Sequence, residues 1–376
     1  MKKTLLLGIA GILMAAITIT ASKKEDNNNN GNPSGALDRQ PMLTNYADNY
    51  ILPAYAAMVE DLAALKTGSD AFVGAPDESK LIALRTAWQK AYITWQKVDL
   101  LEFGPAENVS LRMYINTYPV TVSKLNSNIS SGSYDLEQFG NKDAQGFPAI
   151  DYLLNGLAAN NADVVNYYTA DAQAGARKQY LQAVVNKMLD KVTTVRNEWN
   201  SYRNTFVGAT GTDVNSGISR MVNSYVLYYE RYFRSGKIGL PVGAMTGTAK
   251  PDITEAYYTP QLANTLANTA MQSVIAFYEG RSFSGAQGSV SMKSYLSTIG
   301  TKGDNGELMA DLVTKELNEV STALAAINTP LKDAVQNNRT AVLNTYEQIQ
   351  QVVPLLKVDM VSAFGISITY VDNDGD

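Results

Sequence analysis

The chain has 376 residues, with 31 Lys and Arg against 36 Asp and Glu, a formal net charge of −5, and neither Cys nor His. The missing thiols and imidazoles exclude disulfides, thiolate metal sites, a Ser-His-Asp triad and zinc sites built on His. A mildly acidic chain without a basic block binds phosphate backbones poorly, so we expect no nucleic-acid partner. The length predicts two domains.

The first 22 residues have the layout of a secretory signal peptide: a basic start, an apolar run over residues 4–19 and a small-residue cleavage site at Thr20–Ser22. A membrane anchor is the alternative, but the apolar run is short for a span. Residues 23–40 are polar and predict a disordered tether. A signal peptide followed by a polar tether is typical of exported bacterial lipoproteins, but this chain lacks the Cys to which lipid is attached in such proteins. We expect an exported protein of the periplasm, outer membrane or cell surface, which can associate with the membrane through its N-terminus.

Apolar residues three and four apart predict helices along most of the remaining chain. The clearest period runs from Leu81 to Glu102, with Asp77 or Ser79 as its N-cap. Pro148 suits the first turn of a short helix that continues to Leu157. The segments rich in helix-breaking or polar residues predict loops at 68–77, 130–141, 235–251 and 280–288.

The fold class predicted from these segments is all-α. Residues 41–207 and 214–371 are expected to form two antiparallel helical bundles, joined near the Gly- and Thr-rich segment 207–213. Residues 366–371, near the C-terminus, are the one segment whose alternation predicts a strand.

Two carboxylates are candidate site residues, each with a second interpretation. Glu102 ends an apolar helix stripe, where burial is costly unless the charge is paired or binds a cation, although it also fits a solvated rim. Asp151 lies one turn beyond Pro148, where a carboxylate also complements the helix dipole. The cations Arg231, Arg234 and Lys237 fit either a helix C-terminus or an anion contact.

Several patterns together resemble the imelysin-like family, which groups an insulin-cleaving outer-membrane peptidase with iron-regulated exported proteins. The resemblance covers most of residues 41–371. Its segments, in chain order, are Trp88 and Trp95 before Glu102-Phe103-Gly104-Pro105, Ile115–Pro119, Gly146–Leu154, Lys237–Pro241, Arg281–Ser284 and Gly365–Thr369. The resemblance implies two bundles related by duplication, with a site between them.

The chain departs from the family pattern at the site itself. Where the family has Gly-x-His-x-x-Glu, Pro148 replaces the His and Asp151 replaces the Glu; Asn116 and Tyr118 stand where the family often has Asp and Trp. A zinc centre needs about three protein ligands, usually with nitrogen or sulfur among them. We therefore assign no catalytic residue. Glu102 and Asp151 alone would form a weak oxygen site, suited to a hard divalent cation or iron.

Three functions remain open. The first is an exported, non-catalytic binding protein of the cell envelope, which the resemblance connects with iron or haem uptake, although haem would lack an axial His. The second is a metal-dependent peptidase of the imelysin type. The third is a surface scaffold that binds an envelope protein and no small ligand. For the binding protein, the predicted ligand-site residues are Glu102, Asn116, Tyr118, Phe147, Asp151 and Arg281.

Overall fold

The computed structural model describes residues 38–288 and 290–371. The predicted signal peptide and all but the last residues of the predicted tether lie outside the described residues and stay predictions. Apolar side chains at helical spacing determine the fold of the rest. In the helix that follows Asp77, the apolar stripe from Leu81 to Val98 is buried, and the Asp77 carboxylate caps the helix by accepting from Lys80 N.

Helices are the regular secondary structure of the described residues, which also contain one isolated β-bridge between Lys302 and Leu308. The α-helices are α1 Gln40–Asn45, α2 Leu52–Gly74, α3 Glu78–Val98, α4 Pro105–Asn108, α5 Leu111–Ile115, α6 Val122–Ser131, α7 Gly146–Asp151, α8 Asn161–Asn166, α9 Ala174–Gly208, α10 Gly217–Leu227, α11 Leu240–Val242, α12 Pro260–Tyr278, α13 Met292–Ile299, α14 Met309–Ala325, α15 Leu331–Asn337, α16 Arg339–Pro354 and α17 Val361–Ala363. The π-helical segments are Tyr46–Ile51, Tyr152–Gly156, Tyr228–Gly239 and Leu355–Met360, and the 3₁₀ turns are Asp99–Leu101, Phe139–Ala144 and Pro251–Ile253.

The all-α prediction is confirmed, since the described residues contain no strand. Helix α2 packs against α3 and α9, and helix α14 packs against α12 and α16. Helix α12 also packs against α3, so the two halves of the chain are in contact. The described residues belong to one compact unit that begins at Asp38. The division into two bundles related by duplication stays a prediction.

Three local predictions are wrong, each because tertiary contacts override a local signal. The predicted 68–77 loop is helical as far as Gly74, where α2 ends, since burial of Phe72 extends the apolar stripe of this helix. The predicted 235–251 loop begins as helix, because Lys237 and Ile238 are buried and Gly239 makes room for the Tyr346 ring. Residues 366–371 form no strand; Asn223 binds their backbone through its side-chain amide.

No helix within residues 38–371, as far as they are described, combines the length and apolarity needed to cross a bilayer.

Candidate functional site

Lys237 and Glu255 form the centre of a buried polar network. Lys237 Nζ lies 2.5 Å from Glu255 Oε2 and donates to Gln96 Oε1 over 2.7 Å. The other carboxylate oxygen, Glu255 Oε1, accepts from Asn116 Nδ2 over 2.8 Å, and the Tyr92 hydroxyl donates to Asn116 Oδ1 over 2.7 Å. Neither charged side chain is more than 3% exposed. Each buried ion therefore depends on the other for compensation of its charge.

Asp151 is a second buried carboxylate, but its hydrogen-bond donors are all neutral. Oδ1 accepts from the Thr259 hydroxyl over 2.7 Å and from Asn155 Nδ2 over 3.0 Å, and Oδ2 accepts from Tyr258 N over 2.9 Å. Burial raises the pKa of Asp151 to about 6, and these hydrogen bonds only partly offset that effect. Arg85 acts on Asp151 through space, since its guanidinium donates to other oxygens. The carboxylate is thus solvated by the protein without being neutralised.

One loop, residues 254–259, connects the two buried carboxylates, Glu255 and Asp151. Glu255 extends from it into the lysine network, and residues 258 and 259 donate to Asp151. Between them Ala256 has φ of +52°, a left-handed value that is uncommon for a residue with a Cβ. Such a conformation costs on the order of 1–3 kcal/mol and is frequent at binding sites. The strained turn lets one short segment serve both carboxylates.

A cleft of about 150 Å³ opens beside Asp151. Tyr118 and Pro148 line it from the N-terminal half of the chain, and Thr254 and Tyr258 line it from the C-terminal half. The Thr254 hydroxyl is buried and has no hydrogen-bond partner among the described residues. The cleft is therefore lined by the carboxylates of Asp151 and Asp252 and by Thr254, and it has room for a ligand of a few atoms.

The short helix α7 brings Asp151 to this cleft. Gly146, at its start, has φ of +74°, and a Cβ there would lie 2.4 Å from the carbonyl oxygen of Ile115, so the approach requires glycine. Pro148 fits the first turn because its nitrogen has no hydrogen to leave unpaired. The helical prediction for this segment is confirmed. Pro148 and Asp151, which the resemblance assigns to the His and Glu positions of the family motif, both line the cleft.

Phe147 and Asn116 belong to the core that adjoins the cleft. The Phe147 ring stacks on Tyr92, with centroids 4.4 Å apart and planes at 9°, and its carbonyl accepts from Trp88 Nε1 over 3.2 Å. The hydroxyl of Tyr92 in turn holds Asn116, which binds Glu255. Four of the six predicted site residues therefore lie in one neighbourhood: Asn116, Tyr118, Phe147 and Asp151.

Glu102 lines a different cleft, of about 290 Å³, together with Tyr370 from the C-terminal segment. Both its carboxylate oxygens accept from the backbone N–H of Arg112, over 3.1 and 3.2 Å. Burial raises the pKa of Glu102 to about 7. Because Glu102 and Asp151 line separate clefts, a cation held by both is not supported by this geometry.

Arg281 lines a third cleft, of about 640 Å³. Its Nε and Nη2 both lie 2.7 Å from Oε2 of Glu279. The site residues predicted from the sequence are thus distributed over three clefts.

The cations of residues 231–237 bind groups of the protein itself. Lys237 pairs with Glu255, Arg234 Nη2 lies 3.8 Å from Glu230 Oε1, and Arg231 Nη2 donates to the carbonyl of Val371 over 2.6 Å. Lys237 and Arg234 are buried, whereas the contact of Arg231 with Val371 is exposed, and all three cations have partners within the protein.

A catalytic zinc ion does not fit this chain. The sequence contains no His or Cys, and among residues 38–288 and 290–371 no three Asp or Glu side chains come together as metal ligands. The assignment of Glu102 and Asp151 as weak metal ligands stays a prediction.

Sequence reasoning missed Gln96 and Glu255, which complete the lysine network. Gln96 had a signal: it stands four residues after Tyr92 and eight after Trp88, so it continues a buried row on α3. Glu255 had none, because it lies in a loop without periodicity and only the tertiary fold brings it to Lys237.

Comparison with known proteins gives a family match and similar folds. The model of the Imelysin peptidase family matches residues 51–357. An imelysin-like protein from Psychrobacter arcticum is 19% identical with a TM-score of 0.65, covering 87% of this chain and 96% of that chain. A protein from Parabacteroides distasonis, described as an iron-regulated protein A precursor, is 17% identical with a TM-score of 0.68, covering 88% of this chain and 97% of that chain. Curated proteins give no match.

Proposed function

Because the chain belongs to the imelysin family, we propose that it is an exported, non-catalytic binding protein of the cell envelope, whose ligand site is the cleft beside Asp151. The ligand is a hard cation, with iron as the leading candidate, or a small molecule that presents a cationic or hydrogen-bond-donating group.

One observation carries the proposal: the buried carboxylate of Asp151 is held by neutral donors alone and lines a cleft. Uncompensated buried charge is costly, and a cation that enters the cleft would remove that cost. Asp151 and Asp252 line the cleft, and carboxylate oxygens are of the type that hard cations prefer. The cleft is smaller than pockets for drug-sized ligands, which favours an ion over haem.

The same residues argue against peptide hydrolysis. Pro148 at the position of the family's His supplies neither a ligand nor a proton carrier. Hydrolysis needs groups that hold a metal, orient a water molecule and protonate the leaving amine, and Asp151 alone cannot perform all three tasks. Binding without catalysis needs only the carboxylate.

The connection with iron is supported by a structural relative that is described as an iron-regulated protein precursor. Export is supported by the signal-peptide pattern of residues 1–22. Both belong to the proposal.

The test is calorimetric titration of the purified protein with ferric citrate, ferrous iron, calcium and haem. Asp151→Asn should weaken binding of the preferred cation at least tenfold, since the amide has no charge. Glu102→Gln is the matched control, a neutralised carboxylate in a separate cleft, and should bind like the parent protein. Thermal melting of both variants reports whether they are folded.

Two results would overturn the proposal. One is binding that Asp151→Asn leaves unchanged. The other is cleavage of a peptide panel, in the presence of a divalent cation, that depends on Asp151.

A further inference from the structure

The 640 Å³ cleft that contains Arg281 is separate from the Asp151 site and has the size of a ligand pocket. The end of α3, one face of α12, the 281–285 loop and Asn318 of α14 line it. The loop is anchored at its middle residue, because the backbone N–H of Phe283 donates to the carbonyl of Asn49 over 2.8 Å. The cleft is therefore formed by helices and an anchored loop.

Amide and hydroxyl side chains form the floor of this cleft. Asn268 and Gln272 are one turn apart on α12, with Thr269 beside them. Asn268 donates its Nδ2 to the Asn264 carbonyl and Gln272 donates its Nε2 to the hydroxyl of Ser321. Their amide oxygens accept no hydrogen bond from the described residues. These oxygens are oriented by the protein and still able to accept from a ligand.

The cleft contains one positive charge that no carboxylate in the described part of the chain balances, that of Lys97. Glu279 is paired with Arg281, with both guanidinium contacts at 2.7 Å. Lys97 also lines the cleft, and no carboxylate of the described residues lies within ion-pair distance of its Nζ. In a chain with a net charge of −5, this cleft favours an anionic ligand.

Aromatic rings supply an apolar wall. Lys97 Nζ lies 5.1 Å from the centroid of the Phe283 ring, and Tyr50 packs edge-on against Phe283 with centroids 6.1 Å apart. Phe283 remains half-buried at the cleft. An aromatic ring beside a cation suits a ligand that has both an apolar face and an anionic group.

We propose that this cleft binds an acidic sugar of the uronic acid type. Its carboxylate would pair with Lys97, its hydroxyls would donate to Asn268 and Gln272, and its C–H face would pack on Phe283. Sugar hydroxyls both donate and accept, as amide and threonine side chains do. A compact phosphate would use the cation and leave the polar floor and the aromatic ring without partners.

The test is calorimetric titration of the full protein at low salt with glucuronate, a trigalacturonate, glucose and inorganic phosphate. We expect both uronates to bind, glucose to bind at least tenfold more weakly and phosphate not to bind. A trigalacturonate that binds more tightly than glucuronate identifies the end of an acidic glycan as the source, and equal affinities identify the free monosaccharide.

Variants test whether uronate binds in this cleft or elsewhere on the protein surface. Lys97→Gln should weaken uronate binding at least tenfold, and Phe283→Leu about fivefold. Lys142→Gln is the matched control, because Lys142 also lies over a phenylalanine, 3.8 Å from the Phe139 centroid, outside this cleft; it should bind uronate like the parent protein. Asp151→Asn should also bind uronate normally, which keeps this test independent of the function proposed above.

Three results would overturn the inference. They are the absence of uronate binding, phosphate binding as tight as that of uronate, and equal effects of Lys97→Gln and Lys142→Gln. Melting temperatures close to that of the parent protein establish that the variants are folded.

Discussion

Glu255 belongs to the 254–259 loop and Asp151 accepts hydrogen bonds from the same loop, and both are buried carboxylates with several hydrogen bonds. Glu255 contacts the ammonium of Lys237, whereas Asp151 is held only by neutral donors and lines a cleft. The charge of Glu255 is balanced within the protein, so a ligand would gain nothing by compensating it. Asp151 keeps a charge that a ligand can compensate. Compensation, rather than burial, separates the structural carboxylate from the candidate binding carboxylate.

The largest effect is expected at the compensated pair. Lys237→Met leaves Glu255 buried without its cation, which should lower the free energy of unfolding by about 3–5 kcal/mol. Denaturant unfolding measures the loss. Adding Glu255→Gln to this variant should recover more than half of it, because the amide retains an acceptor for Asn116 and carries no charge. A single variant that loses under about 1 kcal/mol would remove the distinction between the two carboxylates.

The pH dependence of stability should distinguish Asp151. Burial raises its pKa in the folded state from 3.8 to about 6. As pH rises, the Asp151 carboxyl therefore ionises in the unfolded chain before it ionises in the folded protein. The stabilisation that the protonated Asp151 gives the fold is fully present below about pH 4 and is lost as pH rises through about 6. Asp151→Asn should abolish a decline of about 3 kcal/mol over this window, measured by urea unfolding at several pH values.

Glu102 provides the control for that experiment. Its pKa is raised to about 7, so its contribution has the same sign and is lost up to a higher pH. Glu102→Gln should remove its own share of the decline, which runs from about pH 4.5 to 7, and leave the share of Asp151 in place. Parallel profiles for the parent protein and Asp151→Asn would contradict the burial argument.

A smaller loss is expected where a neutral group supports the compensated pair. Tyr92→Phe removes the hydroxyl that donates to Asn116 Oδ1 and leaves that buried oxygen without its donor. Unfolding experiments should show a loss of about 1–2 kcal/mol. Binding of a cation at the Asp151 cleft should persist in this variant, and its disappearance would mean that the two sides of the loop act as one site.

The smallest effect is expected from an ion pair in solvent. Arg203 contacts Asp48 through two nitrogens, at 2.8 and 2.6 Å, but the side chains are 29% and 39% exposed. Asp48→Asn should cost less than about 1 kcal/mol, and added salt should reduce that cost further. A loss as large as that of Lys237→Met would show that burial does not control the strength of ion pairs in this protein.

Periodicity predicted the helices well where one face of a helix is buried along its whole length. The stripe of α3 and the short helix at Pro148 are confirmed, because spacing and first-turn chemistry are local properties. The 68–77 and 235–251 segments were misjudged, because Gly and Ser weaken a helix locally while buried neighbours such as Phe72 and Ile238 stabilise it.

The candidate site was predictable only in part. The resemblance placed Asn116, Tyr118, Phe147 and Asp151 near one site, and the fold brings them into one neighbourhood. It also grouped Glu102 and Arg281 with them, although these residues line separate clefts. A residue's type and its neighbours in sequence do not determine which distant segment it faces.

The sequence by itself determined the all-α class and the absence of imidazole and thiol chemistry. These follow from composition and local spacing, which need no knowledge of contacts between distant residues. Only the tertiary structure decided that Glu255, and not Asp151, forms an ion pair with the Lys237 side chain. That pairing depends on Lys237 and the 254–259 loop meeting helix α3, and contacts between such distant segments arise from packing of the whole chain.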